Sequence, residues 1–190
     1  MNDIERRRMI TQESIDRELK NIKPIEVQVD ISDKTFCERY IVYQYEPDTI
    51  SKVKKLFKFV SDATNGFRDT MNCMKGYIRK KYLFFICINE YSKKIVGYCI
   101  IKNPLTKPET TTLIHPKCRN LGLSYRIRDC ALNHAYANNL LSGDIVYSAA
   151  HNKNIPSIVS ILRSGFIIIK FSDSDNYIHF EKYMGKGANL

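Results

Sequence analysis

Hydrophobic period changes most sharply at one point of this chain, and that change is centred on a glycine. Residues Thr110–Ile114 are rich in β-branched side chains, the pattern of a strand. After Gly122 the apolar and small positions Ile127, Ala131, Leu132, His134, Ala135 and Asn138 recur at helical spacing. Between the two lies His115-Pro116-Lys117-Cys118-Arg119-Asn120-Leu121-Gly122. A strand must therefore bend at a proline and turn directly into a helix. That requirement excludes an all-helical bundle and an all-β sandwich.

The rest of the chain reads around this switch. Thr11–Asn21 carries Ile15, Leu19 and Ile22 on one helical stripe, ended by Pro24, and Val27–Ile31 alternates as a short strand. Tyr40–Tyr45 is a strand. Asp48 or Ser51 then caps a helix whose apolar face is Val53, Leu56, Phe57 and Val60. A weaker helix spans 68–80. Tyr82–Ile88 and Ile95–Lys102 form a hairpin across Asn89–Lys94, and Thr110–Ile114 follows a loop with two prolines. Beyond the Ser124–Asn138 helix come a strand (Ile145–Ala149), a helix (Ile155–Ser164, with Ile158, Ile161 and Leu162 inward) and two strands (Phe166–Phe171 and Tyr177–Lys182). The order from Tyr40 is β-α-α-β-β-β-α-β-α-β-β, an α/β (α+β) single domain with a mixed, mostly antiparallel sheet flanked by helices. Residues 1–39 read as an extension, 40–184 as the domain and 185–190 as a loose tail.

Composition narrows the class. Apolar residues make up 44% and charged residues 26%, which suits a globular core and excludes a wholly disordered chain. No apolar run approaches the roughly 18 residues of a membrane span. The start carries Arg6-Arg7-Arg8 with no apolar stretch behind it, so it is not read as a secretory signal, and a cytoplasmic protein is expected. The net charge is +10, distributed unevenly: residues 1–40 hold 8 basic and 9 acidic side chains, residues 41–190 hold 22 and 11. A basic body suits an anionic ligand, either a phosphate-bearing cofactor or nucleic acid, or else a solvated surface. No basic stripe interleaved with aromatics is present, so nucleic acid is the less favoured partner. The six cysteines lack C-x-x-C spacing and the four histidines lack zinc-ligand spacing. Reduced thiols and no metal are expected.

The strand–turn–helix segment has the chemistry of an anion site. N–H groups at a helix start point outward and the dipole favours negative charge. Gly122 admits a close approach to the main chain, Arg119 adds a cation, and Ser124 is small and can cap the helix. An ordinary strand-to-helix turn would look the same.

On these residues the chain resembles the GCN5-related N-acetyltransferases. Their motif, apolar-x-Pro-x-x-Arg/Gln-x-x-Gly-x-Gly/Ala, is matched by Ile114, Pro116, Arg119 and Gly122, with Ser124 replacing Gly or Ala and Ile127 opening the helix core. A second block, Asn154, Ser157, Gly165 and Phe166, falls at the family's offsets. The resemblance covers about residues 40–183. It implies acetyl-CoA as acyl donor. Thr112, Leu113 and Ile114 would pair with the pantetheine amides, and the N–H groups of Asn120, Leu121, Gly122, Leu123, Ser124 and Tyr125 would hold the pyrophosphate. Asn154 would bond the cofactor or fix its loop. A primary amine would attack directly: a small molecule, a protein or an aminoacyl-tRNA. A dimer is compatible with this reading.

The resemblance fails at the proton-transfer positions. The family's frequent general acid, a Tyr seven residues after the Asn, is Ile161, and a Glu base five residues before it is Ala149. The candidate substitutes are His151, on the Ala149 face of a continued strand, Glu109, at the start of the cofactor strand, and His115, at the bend. Tyr147 shares the Ala149 face. Each also has a plain structural reading: a loop cap, a solvated strand end, an exposed ring. The rival functions are a CoA-binding module without catalysis and an acyltransferase with a longer donor.

Overall fold

The structure, a computed structural model, describes residues 24–28, 39–45, 82–92, 94–172 and 174–185. The helices read at 11–21, around Val53–Val60 and at 68–80 lie outside the described residues, as do Cys37, Cys73 and the end of the tail. The described elements are β1 (Pro24–Gln28), β2 (Arg39–Tyr45), β3 (Leu83–Asn89), β4 (Ile95–Lys102), β5 (Glu109–Ile114), a 3-10 turn (Pro116–Cys118), α1 (Leu123–Ala137), β6 (Ile145–His151), α2 (Ile155–Arg163), β7 (Ile167–Ser172) and β8 (Tyr177–Tyr183).

The strands form one eight-stranded sheet in the order β1-β2-β3-β4-β5-β6-β8-β7. Every neighbouring pair is antiparallel except β5–β6. The mixed, mostly antiparallel α/β arrangement expected from the element order is therefore the observed one. The first strand needs a correction. It begins at Pro24, not Val27, and Pro24 opens it instead of only stopping a helix. β1 is at a sheet edge, where a residue without an N–H is tolerated.

Local chemistry sets the corners. In the β3–β4 hairpin Asn89 accepts the Ser92 N–H on Oδ1 at 2.8 Å and donates its own N–H to Lys94 at 2.9 Å. Asn139, at φ 54°, follows α1, and Gly165, at φ 76°, follows α2, each taking the left-handed turn that ends a helix.

The core lies between one face of the sheet and the two described helices. Phe85, Cys87, Cys99 and Ile101 meet Ile127, Ala131, Leu132 and Ala135 of α1, and Val146, Ala150 and Phe180 extend the cluster to Ile158, Ile161 and Phe166. Each fully buried Ile, Leu or Phe contributes about 1.5–3 kcal/mol. The opposite face buries Ile41, Phe84, Ile86, Ile88, Tyr98 and Ile100 as well. β3 and β4 are therefore apolar on both sides, which explains their unbroken hydrophobic runs. One inward reading on α2 is corrected: Ile158 and Ile161 are buried, but Leu162 is 42% exposed. Leu162 falls with Ile155 and Val159 on the solvent stripe, a quarter-turn beyond the narrow core face.

Candidate anion cradle and strand gap

β5 and β6 are parallel for only two residue pairs, Glu109↔Tyr147 and Thr110↔Ser148. Ser148 Oγ closes this short ladder by donating to the Thr110 carbonyl at 3.3 Å. Beyond that point, among the described residues, each strand is held on its outer side alone. β5 stays registered with β4 as far as Gly97↔Ile114, and His115 N–H continues that ladder to Val96 O at 2.7 Å. β6 stays registered with β8 as far as His151↔Tyr177. A gap therefore opens along Thr111–Ile114 on one side and Ala149–His151 on the other, wide at the carboxyl ends of both strands. Four residues of free strand edge run about 13 Å.

The turn leading into α1 lies at the wide end. His115 starts it: Nδ1 accepts the Lys117 N–H at 3.2 Å, capping the 3-10 turn. Asn120 and Gly122 both take left-handed backbone conformations, at φ 64° and 69°. Gly122 is the N-cap and brings no side chain to the first-turn N–H groups of Leu123, Ser124 and Tyr125. A Cβ at Gly122 would come within 3.0 Å of the Tyr125 ring, so the cradle is shaped for a residue without one. The expected capping role of Ser124 is corrected. It lies two residues past the N-cap, inside the first turn, and its Oγ accepts the Ser160 hydroxyl of α2 at 2.8 Å.

Cations surround the turn. Lys117 and Arg119 are exposed, and Arg119 Nε reaches the Ile114 carbonyl at 3.5 Å, tying the loop to the strand end. Partial burial, then Lys117, Arg119 and Lys94, hold the His115 imidazole below its ordinary 6.5. A backbone that offers N–H groups amid positive charge, beside an open strand edge, fits a phosphate followed by an amide-bearing chain.

Asn154 caps α2, accepting the Ser157 N–H on Oδ1 at 3.3 Å. Its side-chain NH₂ has no acceptor among the described residues.

The three proton-transfer candidates are not gathered into one constellation. Glu109 starts β5 at the closed end of the gap, in register with Tyr147, and its carboxylate accepts from Lys102 Nζ at 3.4 Å. His115 and His151 stand at the wide end, on opposite sides. His151 does share one sheet face with Tyr147 and Ala149, which alternate with buried Val146, Ser148 and Ala150. Its Nδ1 accepts the Lys153 N–H at 3.2 Å, and its ring lies edge-on to Tyr177 at 5.6 Å. Both histidines thus spend the Nδ1 lone pair on a backbone N–H two residues on. Taking a proton there requires giving up that bond. Ile161 is 1% exposed and belongs to the core.

Sequence reading missed the polar contact between the helices. Arg128, 2% exposed, donates through Nη1 to Ser160 O at 2.9 Å, Ser160 Oγ at 3.3 Å and Ser164 Oγ at 3.1 Å. The signal was available: Ser124 and Arg128 lie four apart on a helix, as do Ser160 and Ser164.

Cys87, Cys99, Cys118 and Cys130 are free thiols. Burial pushes Cys99 up to about 11 although Arg128 is near, and Cys130 up to about 12. Among the described residues no helix is long and apolar enough to cross a membrane.

No protein-family model and no curated protein matches the sequence. Solved structures do match the fold. The ribosomal-protein-S5-alanine acetyltransferase of Vibrio fischeri superposes with a TM-score of 0.56 at 13% identity, over 85% of this chain and 98% of that one. The N-acetyltransferase PseH of Campylobacter jejuni gives 0.55 at 11% identity, over 77% and 99%. An acetyltransferase of the GNAT family from Staphylococcus aureus gives 0.56 at 19% identity, over 77% and 99%. The chain has the fold of the GCN5-related N-acetyltransferases. The resemblance carried by the Pro116–Ser124 and Asn154–Phe166 blocks holds at the level of that fold.

Proposed function

We propose that the protein transfers an acetyl group from acetyl-CoA to a primary amine. The observation that carries this reading is the continuity between the N–H cradle at Asn120–Tyr125 and the open edge of β5. A phosphate and an amide-bearing arm can be held along one line, ending where β5 and β6 close. Bound there, acetyl-CoA supplies an acetyl thioester already activated for attack. The first-turn N–H groups of α1 and the Arg119 cation hold the phosphates. The β5 edge orients the arm toward Thr110 and Ser148. The chain's main contribution is alignment of the amine with the acyl carbon.

Glu109 is the group we assign to the amine proton. It stands at the closed end of the gap beside Tyr147, where the arm ends, whereas both histidines stand at the wide end with Nδ1 engaged. The Glu109 carboxylate is held in place by Lys102 Nζ at 3.4 Å.

The acceptor is a small-molecule or protein amine. Among the fold neighbours are enzymes named for a ribosomal-protein alanine and for spermidine. A second reading, a module that binds CoA without catalysis, is favoured by the apolar Ile161 and Ala149 at the family's acid and base positions.

Acetyl-CoA turnover on a panel of amines, with calorimetry of CoA binding, separates the two. Glu109→Gln is expected to lower kcat by about 10²–10⁴-fold with CoA affinity intact, and His151→Ala to leave kcat within a few-fold. Loss of kcat in His151→Ala alone would return the proton to that histidine. CoA binding with no turnover on any amine would establish the module.

A further inference from the structure

Arg128 is a buried cation with no carboxylate bonded to it among the described residues. Asp129, its neighbour on α1, instead accepts from Lys182 Nζ at 3.3 Å. Among the described residues the Arg128 guanidinium is held by oxygens of Ser160 and of Ser164, the residue that ends α2, and its Nε has no partner. Burying a charge this way is costly unless hydrogen bonds and nearby dipoles offset the lost hydration. Ser160 O lies in the last turn of α2, where carbonyls carry the negative end of the helix dipole, so part of the cost is offset.

The hydrogen bonds continue in one direction. Arg128 N–H is an obligate donor, so Ser160 Oγ accepts from it and has its own proton to give. That proton goes to Ser124 Oγ at 2.8 Å. Ser124 then has its own O–H left over, with no acceptor among the described residues, in the first turn of α1. Ser164 Oγ, also bonded to Arg128, donates to Tyr125 O at 3.3 Å and holds the same turn from the other side. Chains of hydrogen bonds in a low-dielectric interior polarise one another, most strongly when one end is charged.

We propose that Arg128, acting through Ser160, makes the Ser124 hydroxyl a directed donor to the diphosphate held at the start of α1. Ser124 touches the ligand, and Ser160 and Arg128 are positioning residues. This assigns a use to the serine that stands where the family motif has Gly or Ala. It rests on the CoA-binding reading above.

The test is a double-mutant cycle in CoA affinity, by calorimetry on Ser124→Ala, Ser160→Ala and the pair. All three changes are small, and alanine at position 124 is the family's own choice. Ser124→Ala should weaken CoA about tenfold, the scale of a hydrogen bond to a charged group. Ser160→Ala should weaken it by a smaller factor, and that loss should vanish in the Ser124→Ala background. Ser160→Thr, which keeps the hydroxyl, should restore it. Phosphorus NMR of saturated complexes should show the diphosphate resonances moved by Ser160→Ala and the ribose phosphate unmoved. Additive losses, or unchanged affinity in Ser160→Ala, would overturn the relay and leave the cofactor reading standing. If the unaltered protein binds no CoA, both fall.

Discussion

His115 links the residue scale to solution behaviour. Its ring is pulled toward the neutral form by partial burial, then by Lys117, Arg119 and Lys94. In the folded protein it therefore titrates below 6.5, its ordinary value in the unfolded chain. Between the two values the unfolded chain holds the extra proton, so falling pH favours unfolding across that window. The group's contribution is complete above about 6.5 and is lost as pH drops through the folded value. An NMR titration should place His115 below 6.5, with Lys117→Ala moving it upward. A His115 that titrates above 6.5 would mean the turn is not as cationic as its side chains suggest. Neutral His115 also keeps the Nδ1 lone pair that caps the 3-10 turn.

Among the described elements, β7 exposes the most apolar edge. It is the last strand in the sheet, and Ile167 and Phe171 are 62% and 65% exposed. The ladder with β8 skips Ile169, which breaks the register between Ile168 and Lys170. Such a bulge and a lysine are common protections for an edge strand, yet four apolar side chains remain in solvent. Ile169→Lys is expected to reduce aggregation on concentration, followed by light scattering. Stability should change by no more than about 0.5 kcal/mol, because the side chain is outside the core. A large loss of stability would show that β7 is covered in solution. β5 and β6 make a contrasting pair, since their interruption is internal and lines the candidate site.

The whole molecule carries +10, and its residues 41–190 hold the excess. Such a charge attracts any polyanion at low salt, by counterion release. The cradle concentrates only part of it, in Lys117 and Arg119. A filter-binding titration with tRNA is expected to show retention at low salt and none near physiological salt, with a steep slope. CoA affinity should fall more gently over the same range, because backbone N–H groups carry part of the binding. tRNA retained at physiological salt would point to a nucleic-acid-borne acceptor.

Much of this was legible in order and little of it in contact. Periodicity and turn residues placed nearly every described element within a residue or two. They also put Gly122 in the turn before α1 and began the next helix at Ile155, because such features depend on neighbours a few residues away. Val27–Ile31 was misplaced because one alternation runs from Ile25 to Ile31, and pairing with β2 selects the stretch from Pro24 to Gln28. Which side of α2 Leu162 faces was equally undetermined, since a helix with apolar residues on most sides has no unique inward stripe. The parting of β5 from β6 after Thr110 has no local signature either. It follows from each strand being held more fully by its outer neighbour than by the other. The Arg128–Ser160–Ser124 chain joins residues 32 and 36 positions apart, and the histidine lone pairs are taken by N–H groups whose direction only the folded loops define. Sequence thus determined the order of elements and the chemistry of the turn, through short-range backbone preference. Tertiary structure decided where the sheet opens and which polar atoms remain free to bind, because those depend on packing between segments distant in the chain.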